Sequence, residues 1–214
     1  MTLDSPCRHD RFRSFARLLV GASISVALAA CSSVGTSGGA SPLPTVDRSG
    51  CPTSQPAALA SGETRTVEIK TSKGPITLKI NGSLAPIAAG NFVALATCGF
   101  YNGVVFHRVV PGFVIQGGDP KGTGGGGPGY TIDDEPVTTA YHRGTVAMAR
   151  TPAAHSEGSQ FFIVLSDAAS FAPTYAILGV VTAGMDTVDA IATAADAEIP
   201  SHPIAMDAVS VANP

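Results

Sequence analysis

The chain has 214 residues, of which 44% are hydrophobic, and its 13 basic and 16 acidic side chains give a formal net charge of −3. The foldable part of the chain contains no run of lysine and arginine, so we expect no nucleic-acid partner. The four cysteines lack metal-ligand spacing and form no Cys/His cluster, which argues against a metal site.

The first 30 residues have the order of a secretory signal peptide: arginines, then an apolar run from Leu18 to Ala30 that ends in small residues. The run is shorter than the about 20 residues that a membrane-spanning helix needs. Leu28-Ala29-Ala30-Cys31 resembles the lipobox of bacterial lipoproteins. The resemblance implies cleavage before Cys31, attachment of acyl chains such as palmitate, and anchoring on the extracytoplasmic face of the cell membrane. The alternative is an ordinary secreted protein that is cut near Ala30.

Residues 31–61 are rich in Ser, Gly, Ala, Pro and Thr and contain few large apolar side chains, which predicts a flexible tether. Residues 62–214 are enough for one domain of ordinary size. Two cysteines of this mature chain, Cys51 and Cys98, would then lie in an oxidising compartment. We favour a disulfide that joins the end of the tether to the domain, and two free thiols are the alternative.

Alternating apolar and polar residues predict two strands, Thr64 to Lys70 and Gly74 to Ile80, joined by a hairpin turn. Helical spacing predicts a helix from Pro86 to Thr97, because proline suits the first turn and Gly99 suits the C-cap. A second helix is predicted over Met185 to Ala195. Further strands are predicted over Val104–Arg108, Phe113–Gly117, Gly144–Ala149, Gln160–Leu165, Ala176–Val181 and Ile204–Val211. Many short strands with two helices favour a mainly β fold, a closed antiparallel barrel capped by the helices.

Three further sequence features could suggest a binding or catalytic site, but we assign none to them. Residues 122–127 match Gly-x-Gly-x-x-Gly, but Pro128 and no helix follows, so a dinucleotide site is not expected and we interpret the segment as a mobile loop. The acidic run at residues 133–135 is interpreted as a solvated surface. His107 alternates with its neighbour Arg108 along the predicted strand and is interpreted as structural.

The most informative stretch is residues 106–119, FHRVVPGFVIQGGD. Alternation puts Phe113 and Ile115 on one face of a strand and Val114 and Gln116 on the other, while the Pro-Gly pair predicts a bulge or bend. A second segment, GSQFFI at residues 158–163, follows later in the chain. The two segments resemble the signature of the cyclophilins, peptidyl-prolyl cis/trans isomerases, and the resemblance covers residues 64–211. It implies a closed eight-stranded antiparallel barrel with one α-helix over each end.

The resemblance also implies roles for individual residues. Arg108 matches the catalytic arginine, and Gln116 matches the glutamine that orients this arginine and contacts the substrate backbone. Ser170 stands where cyclosporin-sensitive members carry tryptophan, so strong cyclosporin binding is not expected. The other implied substrate-binding residues are Phe113, Val114 and Phe162 in the proline pocket, Gln160 beside the groove, Met148, Ala149 and Arg150 along the substrate backbone, and Phe171 and Tyr175 in the apolar wall.

Such chemistry needs no cofactor, because the enzyme has only to favour a twisted amide over a planar one. Twisting makes the prolyl nitrogen pyramidal and able to accept a hydrogen bond, which a fixed guanidinium can donate. The sequence therefore predicts an isomerase that acts on Pro-containing polypeptides and assists the folding of exported proteins. The alternative is a non-catalytic binding module for Pro-containing segments. We expect a monomer.

Overall fold

The computed structural model describes residues 46–167 and 170–212, so the predicted signal peptide and Cys31 lie outside the described residues. No helix within these two ranges is long and apolar enough to cross a membrane. The described chain contains eight strands and two helices. In chain order they are β1 (Thr64–Thr71), β2 (Gly74–Asn81), α1 (Pro86–Thr97), β3 (Arg108–Val110), β4 (Val114–Gly117), β5 (Thr145–Met148), β6 (Phe161–Val164), β7 (Ile177–Ala183), α2 (Met185–Ala194) and β8 (Ala208–Val211).

The β1–β2 hairpin follows the alternation of its sequence. Val67 and Ile69 of β1 and Leu78 of β2 are fully buried, while the residues between them face outward or are half-buried. Ile69 pairs with Ile76 across the two strands, so the apolar side chains of both strands lie on one face. This face packs into the main core, the larger of two clusters of buried apolar side chains.

Helix α1 begins at Pro86 and receives its N-terminal cap from a distant part of the chain. The N-cap residue Ala85 has no side chain that can accept a hydrogen bond. Instead, the carboxylate of Glu135 accepts hydrogen bonds from the backbone N–H groups of Ile87, at 2.9 Å, and Ala88, at 2.8 Å. A carboxylate also interacts favourably with the positive end of the helix dipole. The interpretation of residues 133–135 as a solvated surface is therefore wrong for Glu135.

All eight strands lie in one sheet in the order β3-β4-β6-β5-β7-β2-β1-β8, with antiparallel pairing between all neighbours. The two edge strands, β3 and β8, do not pair, so the predicted closed barrel is wrong and the fold is an open, strongly curled half-barrel. Between these edges, the chain meets in an isolated bridge of Val105 with Ala205. Pro200 and Pro203 lack the N–H groups that a continuous ladder would need there.

The strand predicted over Val104–Arg108 is displaced in the structure, where β3 starts only at Arg108. Pro111 and Gly112 form the turn into β4, and the N–H of Phe113 donates to the carbonyl of Val110 at 3.0 Å. Because Phe113 belongs to this turn, it does not share the face of Ile115 as strict alternation predicted. It packs instead on the opposite face of the sheet, with Val114.

Residues 46–60, which the sequence assigns to the tether, contact the domain. Cys51 forms a disulfide with Cys98, the residue that follows α1, with an S–S distance of 2.03 Å. Leu59 is buried in the main core, and its N–H donates to the carbonyl of Pro86 at 2.9 Å. The chain passes so close to Gly90 of α1 that a Cβ at this position would lie 2.2 Å from the carbonyl oxygen of Ala57. A glycine at position 90 is what allows this close approach.

Candidate active site

A second, smaller apolar cluster, which we call the outer cluster, lies on the face of the sheet opposite the main core. Along β6, Phe161 and Ile163 belong to the main core, whereas Phe162 and Val164 belong to the outer cluster. This division follows from the alternation of side chains along a strand. The buried members of the outer cluster are Val114, Tyr141, Ala147, Phe162, Val164 and Ile177, and half-buried side chains around them include Phe113, Ala149, Phe171 and Tyr175.

Aromatic rings form the exposed edge of the outer cluster. The ring of Phe171 lies between those of Phe113 and Phe162, with centroid distances of 4.6 and 5.4 Å and interplanar angles of 15° and 10°. Tyr175 meets Phe162 edge-on at 5.4 Å. The hydroxyl of Tyr141 fixes Tyr175, because it donates to the Tyr175 carbonyl at 2.9 Å and accepts from its N–H at 3.0 Å. Four predicted pocket residues are thereby brought together, with Val114 beneath them.

The pairing of the strands places Arg108 on the same face as these rings. Arg108 of β3 pairs with Gln116 of β4, Gln116 pairs with Phe162 of β6, and Phe162 pairs with Ala147 of β5. Directly paired residues of neighbouring strands project to the same face of a sheet. The predicted catalytic pair and the predicted pocket aromatic therefore form one row across the sheet.

The guanidinium of Arg108 is half-exposed and is held by an acidic residue from the segment between α2 and β8. Its Nε–H donates to Oε1 of Glu198 at 2.7 Å. The side-chain Nε2 of Gln116 donates to Oε1 of Gln160 at 3.0 Å. Gln160 in turn donates through its own Nε2 to the carbonyls of Gly124 and Gly126, each at 2.9 Å. The two glutamines thus connect the row of Arg108, Gln116 and Phe162 to the glycine-rich loop at residues 122–127.

The glycine-rich loop is wrapped around the carboxylate of Asp119. The backbone N–H groups of Lys121, Thr123, Gly124 and Gly126 all donate to it, at 2.7–3.0 Å. Burial acts to raise the pKa of Asp119, but these hydrogen bonds outweigh it and lower the pKa below its usual value. A Cβ at Gly126 would lie 1.9 Å from Oδ1 of Asp119, so this position requires glycine. The loop thus folds around a buried carboxylate.

A cleft of about 590 Å³ lies between this loop and the segment that follows β5. Its walls include backbone of the loop together with the side chains of Gln116, Tyr130, Arg150 and Gln160. The cleft shares Gln116 with the row that contains Arg108 and Phe162. The cleft also shares Ala149 with the outer cluster, so the two lie side by side.

Two residues with a predicted role along the substrate backbone have their side chains engaged within the protein. Met148 is fully buried in the main core, since alternation along β5 turns it away from the outer face. The guanidinium of Arg150 is used within the protein, where it donates to Oδ2 of Asp134 at 3.2 Å and to the carbonyls of Ala153, at 3.0 Å, and Thr174, at 3.2 Å. Arg150 lines the cleft but serves mainly to hold the loop that follows β5.

Sequence reasoning missed three residues near the site: Tyr141, Glu157 and Glu198. Each contacts a predicted site residue, or a segment next to one, only through tertiary structure, so no local pattern marks it. Glu157 lies in sequence between the cleft-lining residues Ser156 and Gly158, and burial raises its pKa to about 7. No group of three or more potential metal ligands occurs in the part of the chain that the structure describes.

Comparison with known proteins shows which family the chain resembles. Residues 66–211 match the family model described as cyclophilin type peptidyl-prolyl cis-trans isomerase/CLD. A peptidyl-prolyl cis-trans isomerase of Helicobacter pylori is 43% identical over 127 residues, which cover 58% of this chain and 77% of the relative. A relative of the same description in Arabidopsis thaliana is 39% identical over 130 residues, and the match covers 58% of this chain but only 22% of that longer protein.

Solved structures agree with the family model. The crystal structure of a cyclophilin type isomerase of Cryptosporidium parvum has a TM-score of 0.66 and 33% identity, and it covers 71% of this chain and 100% of that one. A second structure of the same protein, crystallised in the presence of the dipeptide Ala-Pro, has a TM-score of 0.64 and 32% identity, and covers 70% and 99% of the two chains. The chain therefore belongs to the cyclophilin family of peptidyl-prolyl cis/trans isomerases.

Proposed function

We propose that the outer cluster holds the prolyl ring of an Xaa-Pro segment while Arg108 stabilises the twisted amide. The observation that carries this proposal is the row of paired residues Arg108, Gln116 and Phe162 on one face of the sheet. Pro-containing polypeptides are the proposed substrates. The Ala-Pro dipeptide present with the Cryptosporidium parvum protein is the smallest unit of this kind.

The chemistry requires selectivity for the transition state. Rotation about the peptide bond has a barrier of ~18–20 kcal/mol because the planar amide is conjugated. At the half-rotated state the prolyl nitrogen has a free lone pair, and an N–H of Arg108 can donate to it. This hydrogen bond is stronger in the twisted state than in the planar one, so it lowers the barrier and not only the substrate dissociation constant. Arginine suits the task because it stays charged and its donors form a rigid fork.

Substrate binding must rearrange the aromatic edge of the outer cluster. Phe162 is only 4% exposed, because Phe171 is stacked on it. A prolyl ring that contacts Phe162 therefore has to displace Phe171 from the stack.

Replacement of Arg108 by alanine tests the proposed catalytic role. We expect the Arg108→Ala variant to isomerise an Xaa-Pro peptide more than about tenfold more slowly, since a positioned donor to the transition state is lost. The dissociation constant of the peptide should change much less. Isomerisation is measured by exchange NMR spectroscopy, and binding by titration of the same peptide.

Arg108→Lys is the matched control, because it keeps the charge but lacks the planar fork. It should be impaired in isomerisation as well, with binding close to that of the unchanged chain. If Arg108→Ala lost binding and isomerisation by the same factor, the residue would act only as a binding group and the non-catalytic alternative would be favoured.

We further propose that the protein is a monomeric lipoprotein with residues 1–30 as signal peptide, residues 31–61 as tether and residues 62–214 as isomerase domain, the last part of the tether, residues 46–60, being fastened to the domain. It would act on exported proteins at the outer face of the cell membrane. The lipobox-like sequence before Cys31 supports this location, and so does the Cys51–Cys98 disulfide, because such bonds persist in oxidising compartments. Labelled palmitate should be incorporated into the full chain and not into Cys31→Ala; equal labelling of both would contradict the anchor.

A further inference from the structure

The segment between α2 and β8, residues 195–207, supplies the side chain that holds Arg108. Oε1 of Glu198 accepts the Nε–H of Arg108 at 2.7 Å. The family resemblance implied that Gln116 orients this arginine, but among the described residues no hydrogen bond joins the two side chains, and the side-chain partner of Arg108 is Glu198. The contact from Glu198 reaches across 90 residues of sequence. It therefore depends wholly on how this segment is folded.

The backbone of Glu198 is fixed independently of its side chain. Its carbonyl accepts the N–H of Val109, the residue after Arg108 on β3, at 2.8 Å. Further along the segment, the carbonyl of Ile204 accepts the N–H of Phe106 at 2.9 Å. Within the segment, the N–H of Ser201 donates to the carboxylate of Asp196 at 2.9 Å. The carboxylate of Glu198 is thus presented to Arg108 from a braced backbone that does not depend on the ion pair.

The hydrogen bond from Nε of Arg108 to Glu198 fixes the orientation of the guanidinium plane. The group is planar, so a hydrogen bond at Nε on one edge restricts rotation of the whole plane and leaves the two terminal Nη groups on the other side as donors. Without this contact, a half-exposed arginine side chain samples several rotamers, and each substrate turnover must order it again. A pre-oriented donor is what differential stabilisation of a transition state requires.

Glu198 acts on Arg108 mainly through the position of its acceptor oxygen and less through its negative charge. The side chains of Arg108 and Glu198 are 36% and 59% exposed, so water and salt screen much of their Coulomb attraction. The hydrogen bond to Nε needs only an acceptor oxygen at the right place. An amide oxygen at position 198 could take this role without a negative charge.

From these contacts we propose that Glu198 is a positioning residue for isomerisation, which acts by fixing the plane of the Arg108 guanidinium. The proposal rests on the catalytic role of Arg108 put forward above. It also assigns a role to the segment between α2 and β8, which the sequence motifs did not include in the site.

The test compares three variants of the full chain in the exchange assay: Glu198→Ala, Glu198→Gln and, as a matched loss of one acidic charge, Asp207→Ala. Asp207 is exposed, and its backbone N–H donates to Lys70. We expect Glu198→Ala to lower kcat on the order of fivefold with KM nearly unchanged, because orientation and not affinity is lost. Glu198→Gln should stay within about twofold of the unchanged chain, and Asp207→Ala should match it.

The same substitution in the Arg108→Ala background separates the two proposals. There Glu198→Ala should cause no further loss, since two residues that act through one interaction are not additive. The Arg108 Nε–H resonance should be slow to exchange with water in the unchanged chain and fast in Glu198→Ala. Unchanged or faster turnover in Glu198→Ala, equal losses in Glu198→Ala and Glu198→Gln, or a loss that persists without Arg108 would each overturn the positioning role. Unchanged turnover in Arg108→Ala alone would instead overturn the proposed function.

Discussion

At the scale of single residues, Glu157 is the group whose environment departs most from that of an ordinary carboxyl. It is 1% exposed; its Oε1 accepts the N–H of Ala176 at 3.2 Å, and its Oε2 has no hydrogen-bond partner among the described residues. Burial raises the pKa of Glu157 to about 7, and the nearby carboxylates of Asp134 and Glu135 add to this shift. The Ala176 hydrogen bond and the charge of Arg150 oppose it. Glu157 thus titrates close to neutral pH.

We expect Glu157→Gln to remove a loss of stability that the protein suffers as the pH rises. The folded-state pKa of about 7 lies above the usual 4.5, so between these values the folded protein keeps a proton that the unfolded chain releases. Stability from this group is therefore complete below about pH 4.5 and is lost as the pH rises through 7. The full loss is on the order of 3 kcal/mol, because the shift from 4.5 to about 7 corresponds to about 1.4 kcal/mol per pKa unit. Urea unfolding at pH 5 and pH 8 measures it.

The glutamine variant keeps the oxygen that accepts from Ala176, so at pH 5 it should be about as stable as the unchanged chain, whose Glu157 is then protonated. At pH 8 it should be the more stable of the two. Asp207→Asn, at an exposed site, serves as the control and should leave the pH dependence unaltered. If the free energy of unfolding changed with pH in the same way in Glu157→Gln and in the unchanged chain, the raised pKa of Glu157 would be contradicted.

At the scale of helices and strands, the elements that local sequence specifies were predicted well. The structure has β1 at Thr64–Thr71, β2 at Gly74–Asn81 and α1 at Pro86–Thr97, each within one residue of the prediction. Alternation, a turn and a proline at the first helical position are all contained in the segments themselves. Such signals need no knowledge of the rest of the fold.

Features that depend on distant contacts were not predictable in this way. Whether the sheet closes depends on how residues 104–106 meet residues 204–206, and only an isolated bridge forms there. The cap of α1 comes from Glu135, far along the chain from Ile87. A pattern in one segment cannot report the partner that another segment supplies.

The site was predictable where a motif carries it and unpredictable where it depends on orientation. Strand β6 reads Phe161-Phe162-Ile163-Val164, with all four residues buried, because one face belongs to the core and the other to the outer cluster. Alternation alone cannot say which face is which when both are apolar. The motif resemblance selected Phe162, and strand pairing then placed it beside Gln116. On β5 the side chain of Met148 lies in the core, and the role that the resemblance implies for this residue is along the substrate backbone.

At the scale of the whole molecule, the Cys51–Cys98 disulfide determines how far the folded unit extends towards the N-terminus. It closes a span of 47 residues that includes β1, β2 and α1. Nearby, Arg48 donates its Nε–H to the carbonyl of Phe100 at 2.9 Å, and its guanidinium lies 5.3 Å from the Phe100 ring centroid. The disulfide, these polar contacts and the burial of Leu59 together hold residues 46–60 on the domain.

We expect the double variant Cys51→Ser/Cys98→Ser to be less stable by about 2–4 kcal/mol, because an open loop of this size has more conformational entropy when unfolded. The same loss should appear when the unchanged chain is treated with a reductant, and the variant should not respond to reductant. Denaturant unfolding with and without reductant measures both effects. Limited proteolysis then shows whether cleavage starts within residues 46–60.

The part of the molecule that loses stability without the Cys51–Cys98 disulfide distinguishes two ways in which this disulfide can act. If it stabilises the whole domain, the midpoint of unfolding falls and isomerase activity at moderate temperature stays the same, because the row Arg108-Gln116-Phe162 lies on strands outside the closed loop. If it only fastens the N-terminal segment, proteolysis of residues 46–60 accelerates while the midpoint is unchanged. We predict the first outcome, since Leu59 and Gly90 make this segment part of the main core and of the α1 surface, and an unchanged midpoint in both the variant and the reduced chain would refute it.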